Sequence, residues 1–214
     1  SAAAYTHLRS LLEPLTCPLY VLPGNHDDRA ALRRAFSDQP TLHHASIEDH
    51  IQYEVELPGL RLLTLDTVVP EASHGALCLQ RLNWLDMQLA LHPNMPTLLA
   101  MHHPPFETYL GSMDRVGLLH GAVELAAVVA RHPQVQRIVC GHLHRSSQAL
   151  WAGTLVQTAP STAHQVWLSL ARDGGNGWGL EPPGFLLHAW NNGLDLVSHL
   201  AFSRLAEGPY LFRG

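Results

Sequence analysis

The sequence predicts one α/β domain over residues 1–214, because helical and strand patterns alternate along the chain. An apolar content of 46% in 214 residues is enough for a single substantial core. Three short motifs, at residues 24–27, 101–105 and 141–144, each follow an apolar run directly. Ligands of α/β sheets collect beyond the carboxyl ends of the strands, so we expect these motifs to meet at one site.

The first elements follow from local patterns. Apolar residues at helical spacing predict a helix over residues 5–12, and an apolar run at residues 19–22 predicts a buried strand. Asp27 and Asp28 precede a predicted helix over residues 29–36. Their carboxylates can accept hydrogen bonds from the first free amides of that helix.

The same alternation continues to residue 140. It predicts a strand at 60–65, a helix at 79–91, a strand at 97–101, a helix at 122–131 and a strand at 135–140. Later short runs predict a second, largely antiparallel sheet, formed by residues 149–151, 154–158, 165–170, 185–190 and 194–200. Residues 172–184 are rich in glycine and proline, which predicts a long surface loop or an oligomer contact.

Charge and composition exclude several classes of protein. The net charge is −5 without any basic run, so extended nucleic acid is not an expected partner. All 13 basic residues are arginine, which excludes a P-loop and a Schiff base because both need lysine. No apolar run has the roughly 20 residues of a membrane span. Three widely spaced cysteines indicate thiols in a reducing compartment, which predicts a soluble, cytoplasmic protein.

The three motifs contain side chains that bind transition metals. Imidazole is the commonest protein ligand for zinc, manganese and iron, and an asparagine oxygen suits the same ions. Asn25, His102, His142 and His144 therefore form a coherent ligand set. Each motif alone has a plainer interpretation, as a turn, a polar strand end or a buried histidine. Their shared position after strands favours a common site.

These motifs resemble those of the calcineurin-like metallophosphoesterases, in particular the class III cyclic-nucleotide phosphodiesterases and glycerophosphodiesterases. The resemblance rests on Leu-Pro-Gly-Asn-His-Asp-Asp-Arg at 22–29, Leu-Asp-Thr at 65–67, Met-His-His-Pro-Pro at 101–105 and Gly-His-Leu-His at 141–144. It implies a four-layer α-β-β-α sandwich of two mixed sheets. It also implies two divalent metals roughly 3.5–4 Å apart, with manganese, iron, zinc and cobalt all open.

The resemblance implies a role for each polar residue of the motifs. The expected metal ligands are Asn25, His102 and His142 for the second metal and His144 for the first. His26 matches a histidine that stabilises the transition state or protonates the leaving oxygen, and Asp27 is expected to orient its ring. His103 matches no ligand and is expected to be a neighbour.

Three further positions resemble substrate-contacting segments of the family. His164 lies in a late loop that the family places beside the metals. Met113 and Asp114 match a pocket-lining segment, although core packing for Met113 and a turn role for Asp114 fit the sequence equally well. The implied substrate is a small phosphodiester, hydrolysed by a metal-bound hydroxide, and the implied assembly is a homodimer or larger homo-oligomer.

The sequence departs from the family pattern before residue 24. The Asp-x-His and Gly-Asp-x-x-Asp motifs, which include a metal-bridging aspartate, have no counterpart there. His7 lies within the predicted first helix and is not an expected ligand. We therefore expect a domain that lacks its N-terminal strand or strands. The favoured explanation is that this sequence is part of a longer polypeptide that carries the missing motifs; another chain that donates the strand and the aspartates is a further alternative. Two alternatives to a phosphodiesterase stay open: a broad phosphomonoesterase, or a catalytically incompetent remnant that acts as a binding module.

Overall fold

The computed structural model describes residues 1–43, 47, 49–171, 177–191, 195–204, 207–208 and 210. Its helices are α1 (Ala2–Leu12), α2 (Arg29–Ala35), α3 (Leu79–Leu91), α4 (Gly111–Asp114) and α5 (Ala122–Ala130). Its strands are β1 (Glu54–Leu57), β2 (Leu60–Leu65), β3 (Gly75–Ala76), β4 (Thr97–Met101), β5 (Leu118–His120), β6 (Val135–Cys140), β7 (Ser147–Trp151), β8 (Thr154–Thr158), β9 (Gln165–Val166), β10 (Trp178–Gly179), β11 (Gly184–Asn191) and β12 (Asp195–Phe202). None of the described helices has both the length and the apolar character that a bilayer crossing requires.

The first two helices form where the sequence predicts them. α2 begins after Asp28, whose carboxylate accepts a hydrogen bond from the amide of Ala31 at 2.7 Å, so the predicted cap is confirmed for this residue. The two helices lie beside a small core of their own. Its buried members are Leu32, Phe36, Leu42, Ile51, Tyr53 and Val55.

The predicted strand at residues 19–22 is wrong, since these residues belong to no strand. A strand needs a neighbour for its backbone hydrogen bonds, and no described sheet includes this segment. The carbonyl of Val21 instead accepts a hydrogen bond from the hydroxyl of Tyr53 at 2.7 Å. Leu19 and Val21 pack against the small core, which explains why the segment is apolar.

A six-stranded mixed sheet forms the centre of the fold, in the order β1-β2-β4-β6-β8-β7. The four inner strands β2, β4, β6 and β8 run parallel, and the edge strands β1 and β7 are antiparallel to their neighbours. The carboxyl ends of all four parallel strands therefore lie along one edge of the sheet. This α/β organisation confirms the predicted fold class.

Helices α3 and α5 supply one layer of the main core. Leu82, Leu85 and Leu89 recur at helical spacing on α3 and are at most 4% exposed. They belong to the same core as Leu99 of β4 and Ile138 of β6, both fully buried. This packing fixes the strands, and with them the loops that leave their carboxyl ends.

The remaining described strands pair two by two, as β3-β5, β9-β10 and β11-β12. Part of the predicted second sheet is placed differently, because β7 and β8 join the central sheet and β8 runs parallel to β6. The predicted strand at 165–170 is reduced to β9. The predicted loop at 172–184 contains β10, which pairs antiparallel with β9, while its residues 172–176 lie outside the described part of the chain.

Candidate metal centre

Three neighbouring parallel strands lead into the polar residues of the site. β2 is followed by Asp66 and Thr67, β4 by His102 and His103, and β6 by a glycine and His142. Because β4 pairs with both β2 and β6, these residues lie side by side at one edge of the sheet. The loop after residue 22 approaches the same edge and brings its own motif to it.

Three side-chain atoms, one from each histidine-containing motif, lie close together. Asn25 Oδ1 is 2.8 Å from His102 Nε2 and 3.3 Å from His142 Nδ1. The two imidazole nitrogens are 3.2 Å apart. Ligand atoms that each lie about 2.1 Å from one cation are separated by roughly 3.0–3.4 Å, so this triad has the spacing of a shared ligand set.

Glycines make room for the rings of the site. A Cβ atom at Gly24 would lie 2.7 Å from Cε1 of His102, and one at Gly141 would lie 3.3 Å from its Nδ1. A Cβ atom at Gly75 would lie only 2.5 Å from the ring of His103. A side chain at residue 24 or 75 would therefore displace the adjacent ring, which gives these two glycines a steric role.

The turn after β6 holds an uncommon backbone conformation. His142 and His144 both have positive φ angles, of 64° and 51°, in the left-handed region that non-glycine residues seldom occupy. Leu143 between them is fully buried, and its amide donates to the carbonyl of Gly141 at 2.7 Å. The buried leucine thus anchors a tight turn that separates the two histidines.

Asp27 closes the loop of the first motif instead of contacting His26. Its Oδ1 accepts a hydrogen bond from the hydroxyl of Tyr5 at 2.7 Å, and its Oδ2 accepts one from the amide of Gly24 at 2.8 Å. Both carboxylate oxygens therefore have partners within the loop and α1. The expected orientation of the His26 ring by Asp27 has no counterpart among these contacts.

A buried ion pair ties this loop to the sheet. Asp66 is fully buried, and its carboxylate accepts two hydrogen bonds from Arg29, from Nε at 2.6 Å and from Nη2 at 2.8 Å. The amides of Ile51 and Val68 also donate to it, at 2.8 and 3.0 Å. Because Arg29 begins α2, this pair fixes the segment that contains Asn25 relative to the end of β2.

His103 is a neighbour of the triad whose two ring nitrogens already have partners. Its Nδ1 lies 2.8 Å from Oγ1 of Thr67, and its Nε2 lies 3.2 Å from the carbonyl oxygen of Ser73. Its ring stands edge-on to that of His102, with centroids 4.8 Å apart. His103 thus supports the position of His102 from the side of β2.

Burial keeps the histidines of the site neutral at physiological pH. It lowers the pKa of His102 to about 2, that of His103 to about 3 and that of His142 to about 4. The neighbouring histidines lower the pKa of His102 further. Neutral imidazoles keep a lone pair that is free to bind a cation.

The triad fits a divalent cation better than it fits hydrogen bonds alone. Asn25 Oδ1 is only an acceptor, and each ring nitrogen facing it is either a donor or an acceptor. If both nitrogens carry protons, the contact between them is repulsive. If only one does, the lone pair of the other nitrogen faces that of the amide oxygen. A cation between the three atoms accepts a lone pair from each of them. Within the described residues, the group of close titratable ligands consists of His102, His103 and His142 and includes no carboxylate.

The other predicted site residues lie around the triad. His26 is exposed and lies near enough to His102, His142 and His144 for like-charge repulsion to add to burial, the main cause, in lowering their pKa values. His144 is not in the close group and packs its ring against His164, with centroids 4.9 Å apart. The structure therefore brings together three of the four predicted ligands and sets His144 beside His164.

Met113 and Asp114 lie on α4, beside a cleft of about 270 Å³ that also has His142 in its wall. Oδ1 of Asp114 accepts hydrogen bonds from the amide and the hydroxyl of Thr108, at 2.7 and 2.6 Å. This carboxylate closes the loop before α4, as the turn interpretation predicted. Met113 faces the cleft and is half-buried.

Sequence reasoning missed the contacts that support the site. It noted the Leu-Asp-Thr segment but did not predict that Asp66 binds Arg29 or that Thr67 binds His103. A detectable signal was present, because an aspartate and a threonine directly follow the apolar run of β2, as the histidines follow β4. Trp178, close to His164, was placed in a loop and was not considered.

The parallel sheet and the motifs at its strand ends are those of a metallophosphoesterase, and the chain belongs to the calcineurin-like phosphoesterase family. The family model matches residues 3–146. The chain is 35% identical over 208 residues to the probable glycerophosphodiester phosphodiesterase GpdQ of Arcobacter nitrofigilis, an alignment that covers 97% of this chain and 75% of that one.

Other relatives agree with this assignment. The cAMP/cGMP dual specificity phosphodiesterase of Mycobacterium tuberculosis is 36% identical over 179 residues, covering 82% of this chain and 54% of that protein. Among solved structures, a dimetal phosphatase from Danio rerio superposes with a TM-score of 0.60 at 18% identity, over 74% of this chain and 65% of that one. At that identity the likeness shows the shared fold.

Proposed function

We propose that this chain is a metal-dependent phosphodiester hydrolase that acts on cyclic nucleotides or glycerophosphodiesters. The observation that supports it most is the convergence of Asn25, His102 and His142 within 3.3 Å of one another, in a member of this family. Relatives that share about a third of the sequence are named as phosphodiesterases for these two substrate classes.

In this proposal Asn25, His102 and His142 hold one divalent cation. A bound cation supplies Lewis-acid chemistry, which neutralises charge on the phosphoryl oxygens and makes water a nucleophile at neutral pH. The glycines beside His102 and the ion pair between Arg29 and Asp66 hold the ligands in register. Mn, Fe, Zn and Co all suit this set of nitrogen and amide-oxygen ligands.

His26 is proposed to act on the leaving oxygen. Its exposed ring lies in the loop before α2, directly after Asn25 of the triad. A protonated imidazole there donates a proton to the departing alkoxide or stabilises its charge. His144, which lies apart from the triad and near His164, is proposed to bind the second cation.

The absence of charge on the three triad side chains also favours the alternative, in which the chain is a binding module. Three uncharged ligands hold a divalent cation less tightly than a set that includes a carboxylate, and no carboxylate joins the described group. A chain that binds no metal even at millimolar concentrations would act through its surface instead. If the triad binds metal but the protein hydrolyses monoesters faster than diesters, it is a phosphomonoesterase.

Hydrolysis of bis(p-nitrophenyl) phosphate tests the proposal. The protein is stripped of metal with a chelator, and turnover is then measured with increasing Mn²⁺, in parallel with p-nitrophenyl phosphate as the monoester. We expect turnover to depend on Mn²⁺ and to favour the diester. His7→Ala is the matched control, because His7 is an exposed histidine on α1, away from the triad. Absence of Mn²⁺-dependent turnover would exclude a hydrolase, and a preference for the monoester would exclude a diesterase.

The proposal also covers the cellular compartment, the substrate and the assembly of the protein. All three cysteines are free, which agrees with a reducing, cytoplasmic compartment. We propose a small phosphodiester as the substrate and a homodimer or larger homo-oligomer as the assembly. The exposed apolar side of the β11–β12 pair, including Phe185, Leu187 and Val197, supports an assembly of this kind.

A further inference from the structure

A series of aromatic rings leads from the site to the surface. The ring of His144 lies 4.9 Å from that of His164, and the ring of His164 lies 5.4 Å from that of Trp178, measured between centroids. Trp178 is the outermost member and is 65% exposed. The series therefore begins at His144, the proposed ligand of the second cation, and ends in an aromatic face that is open to solvent.

The strand pair that presents Trp178 is fixed to the histidine turn. Arg145, the residue after His144, donates two hydrogen bonds to the carboxylate of Glu181, at 2.8 and 3.0 Å. It also donates to the carbonyl of Val166 at 2.6 Å. Because Val166 pairs with Trp178 across the β9–β10 ladder, these contacts hold the tryptophan at a set place beside His144.

A second exposed tryptophan, Trp167, lies directly after β9 and packs against the backbone of β10. Trp167 is 58% exposed, and its ring lies over Gly179, where a Cβ atom would come within 3.2 Å of it. It thus covers the backbone of β10, a common arrangement of an aromatic residue opposite a strand glycine. The ring contact recorded for Trp178 within the described residues is with His164, on the side of the site.

We propose that Trp178, with His164, stacks on a planar ring of the substrate, so that the site prefers cyclic nucleotides to glycerophosphodiesters. This inference rests on the proposed function. A nucleobase has a π-face that stacks on an aromatic side chain, whereas the polyol of a glycerophosphodiester has none. Trp178 is in this account a residue of substrate specificity, outside the metal ligands and the proton donor.

Steady-state kinetics with cyclic AMP and glycerophosphoglycerol test the proposal. Choline diesters are avoided, because a quaternary ammonium also binds aromatic faces. Loss of one base-stacking partner predicts that Trp178→Ala raises KM for cyclic AMP by roughly tenfold, with kcat within about twofold. KM for glycerophosphoglycerol should stay unchanged. Trp178→Phe should recover most of the loss, since it keeps an aromatic face.

Trp167→Ala is the matched control, because Trp167 is a similarly exposed tryptophan directly after β9 and its described ring neighbour is Gly179. It should leave the ratio of the two KM values unchanged. Equal effects of Trp178→Ala on both substrates, or the same substrate-dependent effect from Trp167→Ala, would overturn the proposal. Circular dichroism and thermal melting establish that each variant is folded.

A failure of the proposed function is distinguishable from a failure of this inference. If the wild-type protein turns over neither diester with Mn²⁺, the hydrolase proposal fails, and stacking is then tested by binding. Calorimetry compares AMP with ribose 5-phosphate, which differ by the base alone. Tighter binding of AMP that disappears in Trp178→Ala supports the stacking role, and equal affinities contradict it.

Discussion

The triad of Asn25, His102 and His142 and the β9–β10 pair are built differently. Asn25, His102 and His142 come from three loops fixed by a buried sheet, and their neighbours are buried polar groups. Trp178 lies on a two-residue strand, which is held to the site by hydrogen bonds from Arg145 to Glu181 and Val166 and by the ring contact of Trp178 with His164. The positions of the three triad side chains are thus fixed by the core, whereas the surface around Trp178 can change with little cost to folding.

The largest difference between the two regions should come from removing a ligand. His142→Ala deletes one of three neutral donors, so we expect metal affinity to fall by at least about a hundredfold, with a parallel loss of turnover. Metal content by mass spectrometry and turnover with Mn²⁺ measure both effects. Trp178→Ala should leave metal content unchanged; a loss of metal there would show that the two regions are not separate.

His26→Gln should separate catalysis from metal binding. The variant keeps a polar side chain at an exposed position but loses the proton donor, so kcat should fall by about a hundredfold or more while metal content stays at the wild-type value. The assay should use a diester whose leaving alcohol has a high pKa, because such a leaving group depends most on a proton from His26. Unchanged kcat with such a substrate would refute the role of this histidine.

Two arginine–aspartate ion pairs, one buried at the site and one exposed on the surface, should differ in their contribution to stability. Arg29→Met leaves the fully buried Asp66 without its partner and should lower the free energy of unfolding by about 3–5 kcal/mol. Arg9→Met breaks a pair with a similar 2.7 Å contact to Asp38, but both side chains are well exposed, so its effect should be much smaller. Urea unfolding measures both. Equal losses of unfolding free energy in the two variants would mean that the Arg29–Asp66 pair contributes no more to stability than an exposed ion pair.

Acid should destabilise the metal-free protein through the buried histidines. Burial lowers the pKa of His102 and His103 below that of the unfolded chain, near 6.5, so the unfolded state binds more protons as the pH falls. The destabilisation is absent above about pH 6.5 and grows as the pH falls toward the folded-state pKa values of about 3 for His103 and about 2 for His102. Between pH 7 and 5 each should account for at most about 2 kcal/mol. Thermal melting at the two pH values, with His103→Gln for comparison, measures it; equal pH dependence in both proteins would contradict this assignment.

The smallest expected effect concerns the space around His102. Gly24→Ala places a Cβ atom 2.7 Å from the ring and should weaken metal binding by about tenfold through displacement of this ligand. Gly177→Ala is the control, because its Cβ atom would make an ordinary 3.5 Å contact with Trp167. Calorimetric titration with Mn²⁺ compares the two. Equal affinities would show that the His102 ring can move without consequence.

Much of the central fold was predictable because apolar residues follow the periods of helices and strands. The predicted ranges of β2, α3, β4 and β6 agree with the structure. β1 was missed because it is an edge strand with a single buried residue, Val55, between two glutamates. The segment at 19–22 shows the reverse error, since an apolar sequence does not reveal whether a neighbouring strand will accept its hydrogen bonds.

The convergence of Asn25, His102 and His142 was predictable from the sequence, whereas the contacts that support these side chains were not. Three histidine motifs after strands indicate convergence, because parallel strands end at one edge. Arg29 and Asp66 are 37 residues apart, and Thr67 and His103 are 36 apart, so no local spacing marks these pairs. The separation of His144 from the triad depends on left-handed backbone angles at two histidines, which composition and periodicity do not encode.

Binding of Mn²⁺ to the metal-free protein, followed by electron paramagnetic resonance, tests the central claim most directly. Wild-type protein and the variants Asn25→Ala and His7→Ala are titrated at the same concentration. We expect the wild type and His7→Ala to remove free Mn²⁺ from solution alike, and Asn25→Ala to do so at least about a hundredfold more weakly. Equal binding by all three proteins would contradict the assignment of the triad as a metal centre.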